Sequence, residues 1–176
     1  FLNILEQSTF VGIIAVGLSL TLIAGHMDLS IESVMALAAM VVALTFGTGG
    51  AGGGLALEPA WLSFPVSLAM ALAVGIVIGT INGTLVVRFG INAFIVTLAT
   101  YIAVRGMVVA LSGGRSVYGL PDAMRVMAVE RFLGVPLLAW ALIATYLVFS
   151  LVLTRTPFGR HLFLIGGNVT AAFRAG

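Results

Sequence analysis

The chain contains no cysteine and no lysine, and it carries few charged residues of either sign. Without cysteine, it forms neither a disulfide framework nor a thiolate metal site. Without lysine, it cannot contain the GxxxxGK[ST] motif, so it does not hold nucleotide phosphates in a P-loop. Charged residues make up 8% of the sequence, against about 25% in a typical soluble domain. A surface so poor in charge could not stay dissolved, so the sequence predicts an integral membrane protein.

The sequence also lacks the motifs of common enzyme classes. It contains neither GxSxG nor HExxH, and no two carboxylates are predicted to share a helix face. His26 has no second histidine or carboxylate at a convincing metal-ligand spacing. The net charge of +2 is small and does not suggest a nucleic-acid partner. We therefore expect no catalytic residue, no metal, no cofactor and no nucleic acid.

Hydrophobic residues make up 61% of the chain, and they concentrate in five candidate membrane spans. These stretches are residues 9–25, 33–48, 61–87, 92–111 and 132–154. A transmembrane helix needs about 20 predominantly apolar residues, and the third stretch is long enough to tilt. The predicted fold class is therefore all-α, a polytopic transmembrane helix bundle in a lipid bilayer.

Arginine residues in the loops indicate the orientation of the spans. The residues expected on the cytoplasmic side are Arg88, Arg155, Arg160 and Arg174. The residues expected on the outer side are Arg115, Arg125 and Arg131. Glycine residues and Pro121 interrupt the outer loop that carries this second group, so we expect an irregular segment with at most a short helix.

Three glycines in the third span predict close helix packing. Gly75, Gly79 and Gly83 are four residues apart, which places them on one helix face. A neighbouring backbone could approach closely there, as at other small-residue interfaces in membranes. The alternative is a surface on which helices slide during a conformational change.

Polar residues between the first two spans form a compact connector, "GHMDLSIES". Either Asp28 or Ser30 could cap the helix expected from Ile31, leaving its N-terminus as a small positive pole. Interrupted helices of transporters present such poles to polar substrates. The alternative is a plain cytoplasmic loop with a good N-cap, and the sequence leaves both open.

The fourth span carries a second set of polar side chains. Asn92, Thr97, Thr100 and Arg105 could share one helix face that lines a polar path. We expect the first three to face the bundle interior, because an unpaired polar group in hydrocarbon is costly. The alternative is that each threonine bonds to its own helix backbone while Arg105 reaches the outer interface.

The closing stretch, "TPFGRHLFLIGGNVTAAFRAG", is polar and rich in turn-forming residues. Pro157 should stop the fifth span, because Thr156 before it is biased away from the helical conformation. A turn at Gly166, Gly167 and Asn168 should start a short helix that contains Ala171 and Ala172. We expect this helix to lie along the membrane surface with its small face exposed to a partner. The alternative is an amphipathic helix that touches only lipid.

Several motifs in this order resemble one family. "NILEQS", "DLSIES", "GTINGTLVVRFGINAFIVTLAT" and the closing "RTPFGRHLFLIGGNVTAAFRAG" are similar to the permease subunit of ABC importers for monosaccharides, of the ribose/xylose/galactose type. That branch is related to the branched-chain amino-acid permeases. The resemblance extends over nearly the whole chain. Residues that depart from the family pattern are His26, Glu32, Leu164 and Thr170.

The resemblance implies a dimeric helical channel of the bacterial inner membrane. It implies a second permease copy, a periplasmic sugar-binding protein outside and an ATP-binding subunit inside. The closing stretch matches the loop that contacts the ATP-binding subunit, and its implied contact residues are Gly159, Arg160, Gly166, Gly167, Asn168, Ala171 and Ala172. Family permeases are considerably longer, so residues 1–176 are interpreted as part of a single permease domain that lacks the first span and later spans.

Other functions fit the same residues less well. One is import of an amino acid or another small polar solute, although "DLS" favours the sugar branch. A second is a secondary transporter driven by an ion gradient, which would require an acidic residue buried in a span. A third is a membrane anchor without transport.

Overall fold

The computed structural model describes residues 2–54 and 60–174, and most of them are helical. The described helices are α1 (Leu2–Ile23), α2 (Ile31–Phe46), α3 (Ser63–Val87), α4 (Ala93–Ser112), α5 (Asp122–Val129), α6 (Leu137–Arg155), α7 (Pro157–Gly167) and α8 (Val169–Arg174), with a 3-10 turn at Ala60–Leu62. The short strands are β1 (Gly49–Gly50), β2 (Val117–Tyr118), β3 (Arg131–Phe132) and β4 (Val135–Pro136). The chain forms two compact units, Phe1–Asp28 with Ala128–Gly176, and Leu29–Met127.

All five predicted spans are helices, and four of them are long and apolar enough to cross a membrane. These four are Ile4–Ile23, Ser63–Val87, Ala93–Ser112 and Leu137–Arg155. The exception is α2, whose 16 residues span about 24 Å at 1.5 Å per residue. A bilayer core is about 30 Å thick, so α2 is shorter than the full span that its apolar sequence suggested.

In the first unit, α1 and α6 pack side by side and run in the same direction. Glu6 pairs with Arg131 just before α6, and a Cβ on Gly12 would touch the Leu142 side chain at 2.8 Å. At the other end of α1, the carbonyl of Ile23 contacts Gly166 in α7. The two helices therefore carry the β3–β4 hairpin at one end and α7 at the other.

The β3–β4 hairpin replaces the predicted start of the fifth span. Arg131 pairs with Pro136, and Phe132 pairs with Val135. Leu133 and Gly134 form the turn with φ values of 55° and 77°, a conformation that glycine adopts readily. As a result, α6 begins at Leu137 rather than at residue 132.

In the second unit, α2 packs against both α3 and α4. The buried residues Leu37, Val104 and Val108 form its hydrophobic core. Strand β1, after α2, pairs antiparallel with β2, after α4. The C-terminal ends of α2 and α4 therefore lie close together. The glycine-rich stretch "GTGGAGGG" that follows α2 provides β1.

Candidate functional site

A hydrogen-bonded chain of three polar side chains joins the three long helices of the second unit. The amide of Asn82 on α3 donates to the hydroxyl of Ser30 at 3.0 Å. The carbonyl oxygen of the same amide accepts from the hydroxyl of Thr100 on α4 at 2.7 Å. Ser30 and Asn82 are 1% and 6% exposed, while Thr100 is half-buried. We call Ser30, Asn82 and Thr100 the polar triad.

The triad explains how an amide is tolerated inside an apolar helix. An amide in hydrocarbon must find partners, and hydrogen bonds between membrane helices contribute about 0.6–2 kcal/mol each. Asn82 uses both its donor and its acceptor in this way. Ser30 and Thr100 were predicted from the sequence, whereas Asn82 was not, although a lone amide within a span was the available signal.

Ser30 occupies the N-cap position of α2, but it does not cap the helix as its residue type suggested. Its side chain makes no capping hydrogen bond, and its backbone is helical, with φ −81° and ψ −14°. Its hydroxyl lies within the triad instead. Asp28, the other predicted cap and path residue, is half-buried.

An ion pair joins α2 to α4 beside the triad. Nη1 of Arg105 lies 3.1 Å from Oε1 of Glu32, and the two side chains are 52% and 51% exposed. Glu32 is in the first turn of α2, where the helix dipole favours a negative charge. Arg105 therefore has a carboxylate partner, which neither interpretation of the fourth span anticipated.

Of the polar residues of α4 predicted to face the interior, Thr97 is buried and Thr100 is half-buried, whereas Asn92 is exposed. Asn92 is exposed and caps α4, accepting a hydrogen bond from the Phe94 backbone at 2.9 Å. The prediction that Asn92 faces the interior is therefore wrong, because the amide is used at the helix end. Thr97 is buried, and its hydroxyl donates to the Ala93 carbonyl at 2.9 Å.

The junction between α6 and α7 is organised by Thr156. Its backbone is extended, with φ −109° and ψ 158°, as expected for a residue before proline. Its hydroxyl donates to the Val152 carbonyl at 2.6 Å and accepts from the Gly159 amide at 3.4 Å. The predicted interruption before Pro157 is present, and the same side chain caps the helix that follows.

Two glycines of α7 lie against neighbouring backbone. A Cβ on Gly159 would collide with the backbone of Leu153, and a Cβ on Gly166 would collide with the carbonyl of Ile23 in α1. A Cβ on Gly167 would meet no atom within 4 Å. The absence of a side chain at Gly159 and Gly166 therefore allows α7 to lie close to α6 and α1. Arg160 on the same helix is exposed.

Asn168 separates α7 from α8. Its φ is −161° and its ψ is 104°, and its side chain accepts a hydrogen bond from the Ala171 amide at 3.0 Å. The prediction of a three-residue turn is wrong, because Gly166 and Gly167 belong to α7 and only Asn168 is extended. The predicted short helix is α8, with Ala171 exposed and Ala172 half-buried.

The glycine face of α3 has no close neighbour within the described residues. A Cβ on Gly75, Gly79 or Gly83 would meet no atom within 4 Å. The three glycines lie at helical spacing, as predicted, but the expected packing at them is absent from this part of the chain. Spacing defined the face correctly without determining what covers it.

The predicted outer loop contains one short helix, as expected, together with two-residue strands. It includes β2, the eight-residue helix α5 and strand β3. Arg125 pairs with Asp122 at 3.5 Å, Arg131 lies 3.7 Å from Glu6, and Arg115 is exposed. The described residues contain no cluster of three or more potential metal ligands.

Comparison with known proteins identifies the family. Residues 1–176 match the family described as "Branched-chain amino acid transport system / permease component". The chain belongs to this family. Its four long apolar helices agree with a multi-pass membrane protein of this family.

Three curated relatives cover most of the chain. The chain is 36% identical to the L-arabinose transport system permease protein AraH of Escherichia coli over 94% of its length and 47% of that protein. It is 34% identical to the ribose import permease protein RbsC of Bacillus subtilis, over 99% of its own length and 51% of that protein. It is 28% identical to the autoinducer 2 import system permease protein LsrC of Photorhabdus laumondii, over 93% of its own length and 46% of that protein. The chain therefore spans about half the length of these relatives, and no solved structure matches it significantly.

Proposed function

We propose that this chain is part of a permease subunit that imports a monosaccharide through the inner membrane. The observation that carries this proposal is its similarity, over nearly its whole length, to permeases named for L-arabinose and ribose. Because those relatives are about twice as long, the permease domain is proposed to include spans outside residues 1–176. Its substrate is a small neutral solute that carries several hydroxyl groups.

ATP is proposed to be hydrolysed on a separate subunit that contacts α7 and α8. The contact residues are Gly159, Arg160, Gly166, Gly167, Asn168, Ala171 and Ala172. The collision of a Gly166 Cβ with Ile23 supports this role, because a movement of α7 would reach the end of α1 directly. The small side chains of α8 leave room for a close partner surface.

On the outer side, a periplasmic sugar-binding protein is proposed to dock through charge complementarity. Arg115, Arg125 and Arg131 supply positive charge, tuned by Asp122 and Glu130. A second permease copy is proposed to complete a homodimer. The open face of α3 at Gly75, Gly79 and Gly83 is compatible with close approach of another helix.

The solute path is proposed to pass along the polar side chains of α2 and α4. Its residues are Asp28, Ser30, Thr97, Thr100 and Arg105. The triad supports this placement, because it concentrates buried hydroxyl and amide groups between three otherwise apolar helices. Ionisable and polar groups within membrane spans are commonly associated with transport paths.

Uptake measurements test this function. The full-length protein would be expressed with its ATP-binding and binding-protein partners in a bacterium that lacks its own pentose uptake systems. We expect saturable uptake of labelled L-arabinose or D-ribose that stops when ATP is depleted. An ionophore that collapses ion gradients, with ATP maintained, should leave uptake intact. Uptake of labelled autoinducer 2 alone would redirect the substrate assignment, and loss of uptake with the ionophore alone would indicate a secondary transporter.

A further inference from the structure

The ion pair between Glu32 and Arg105 lies far from either end of α4. Arg105 is the thirteenth of the 20 residues of this helix. At 1.5 Å per residue, it lies about 18 Å from the start and about 10 Å from the end. Among the described residues of the four candidate spans, Arg105 is the charged residue that is remote from both span ends.

We call the surface of α2 and α4 that carries Glu32 and Arg105 the flank. The depth of the ion pair and its exposure together restrict what this flank can face. Both side chains are about half exposed, so the rest of the described chain does not cover them. A charged side chain at this depth is costly in hydrocarbon, and such groups normally face water or protein. By contrast, α3 exposes Ile76, Val77 and Ile81 and contains no charged residue.

The polar triad positions the ion pair between Glu32 and Arg105 at this depth along α4. Ser30 is fixed to α3 and, through Asn82, to Thr100 on α4. Glu32 follows two residues later, and Arg105 follows Thr100 by little more than one turn. The carboxylate and the guanidinium are therefore brought together by the same contacts that position the start of α2.

We propose that the flank carrying Glu32 and Arg105 faces the aqueous solute path, where the ion pair binds the hydroxyl groups of a neutral polyol. This inference rests on the proposed function and names a solute contact within it. One contact, from Nη1 to Oε1, joins the pair among the described residues. Nη2 of Arg105 can donate to a solute oxygen while Oε2 of Glu32 accepts from a hydroxyl. A polyol satisfies both groups at once because each hydroxyl donates and accepts.

Cysteine labelling tests which medium this flank faces. The 176 residues contain no cysteine. A single-cysteine variant of the full-length protein therefore requires the removal of native cysteines only outside these residues. Met35→Cys, one turn after Glu32 and exposed, reports on the flank with the ion pair intact. Ile76→Cys, near the middle of α3 and also exposed, is the matched control. The reagent is the membrane-impermeant cation 2-(trimethylammonium)ethyl methanethiosulfonate, applied to both faces of the membrane.

We expect Met35→Cys to react at least tenfold faster than Ile76→Cys. Saturating L-arabinose or D-ribose, whichever the wild type transports, should slow the reaction at Met35→Cys at least threefold. In the Glu32→Gln, Met35→Cys double variant, labelling should persist while this protection is lost. Protein amount and melting temperature would be measured for each variant.

Equal reaction rates at Met35→Cys and Ile76→Cys would overturn the aqueous flank. Fast labelling without protection, or protection that survives Glu32→Gln in a stable protein, would overturn the solute contact. If the wild type transports no monosaccharide, the proposed function fails, and the ratio of the two labelling rates still decides whether the flank faces water.

Discussion

The side-chain amide of Asn82 donates a hydrogen bond of 3.0 Å to the hydroxyl of Ser30, which lies 52 residues earlier in the chain. The same amide accepts from Thr100, 18 residues later. One side chain on α3 thus fixes the start of α2 against the middle of α4.

Replacing Asn82 with leucine should destabilise the protein. The change removes two hydrogen bonds between helices, each worth about 0.6–2 kcal/mol in a membrane, and leaves the Ser30 and Thr100 hydroxyls to find other partners. We expect a lower melting temperature of the full-length protein in detergent. Thr84→Val is the control, because Thr84 is exposed and its hydroxyl bonds to its own helix at Thr80. Equal melting temperatures for the two variants would contradict a structural role for the triad.

The two adjacent glycines at the end of α7 should differ in their tolerance of alanine. Gly166→Ala places a methyl group against the Ile23 carbonyl, whereas Gly167→Ala meets no atom within 4 Å. Forced displacement of packed backbone costs about 1–3 kcal/mol. We expect Gly166→Ala alone to lower the melting temperature and the uptake rate. Similar behaviour of both variants would show that α7 does not rest on α1 at this point.

A bulky side chain at Ala172 tests whether α8 contacts a protein. Ala172→Trp should clash with a close-packed groove on an ATP-binding subunit, but tryptophan is favourable at a lipid headgroup interface. We expect loss of both co-purified ATP-binding subunit and sugar uptake, with normal membrane insertion. Phe173→Trp, at a position that is 89% exposed, is the control and should retain both. A complete complex with normal uptake for Ala172→Trp would favour contact with lipid alone.

The orientation of the chain is tested from the two sides of the membrane. Ser116 and His161 are both exposed and lie in segments predicted on opposite sides. We expect Ser116→Cys to react with an impermeant thiol reagent added outside intact cells. His161→Cys should react only after the cytoplasmic face is opened. The reverse pattern would invert the assignment of every loop.

Hydropathy and local chemistry predicted much of the architecture. Each apolar stretch became a helix because a backbone in hydrocarbon must satisfy its own hydrogen bonds. The interruption at Thr156 followed from Pro157 alone. The start of the fifth span was placed too early, because Leu133 and Gly134 reverse the chain in a hairpin that hydropathy does not detect.

The contacts between helices were harder to predict than the helices. Asn82 bonds to residues 52 and 18 positions away, and helical periodicity carries no information on such pairs. The same limit applies to Gly75, whose spacing with Gly79 and Gly83 predicted packing that is absent among the described residues. Asn92 was assigned to the interior from its polarity, but its position at the start of α4 made it a cap.

Reconstituted transport tests the central claim most directly. The full-length permease would be placed in liposomes with its ATP-binding subunit, with ATP enclosed and the sugar-binding protein and labelled L-arabinose or D-ribose outside. We predict that sugar accumulates only when ATP, its binding subunit and the sugar-binding protein are all present. Accumulation that is independent of ATP, or no accumulation of either sugar by a complex that hydrolyses ATP, would contradict the assignment as the permease of an ATP-driven monosaccharide importer.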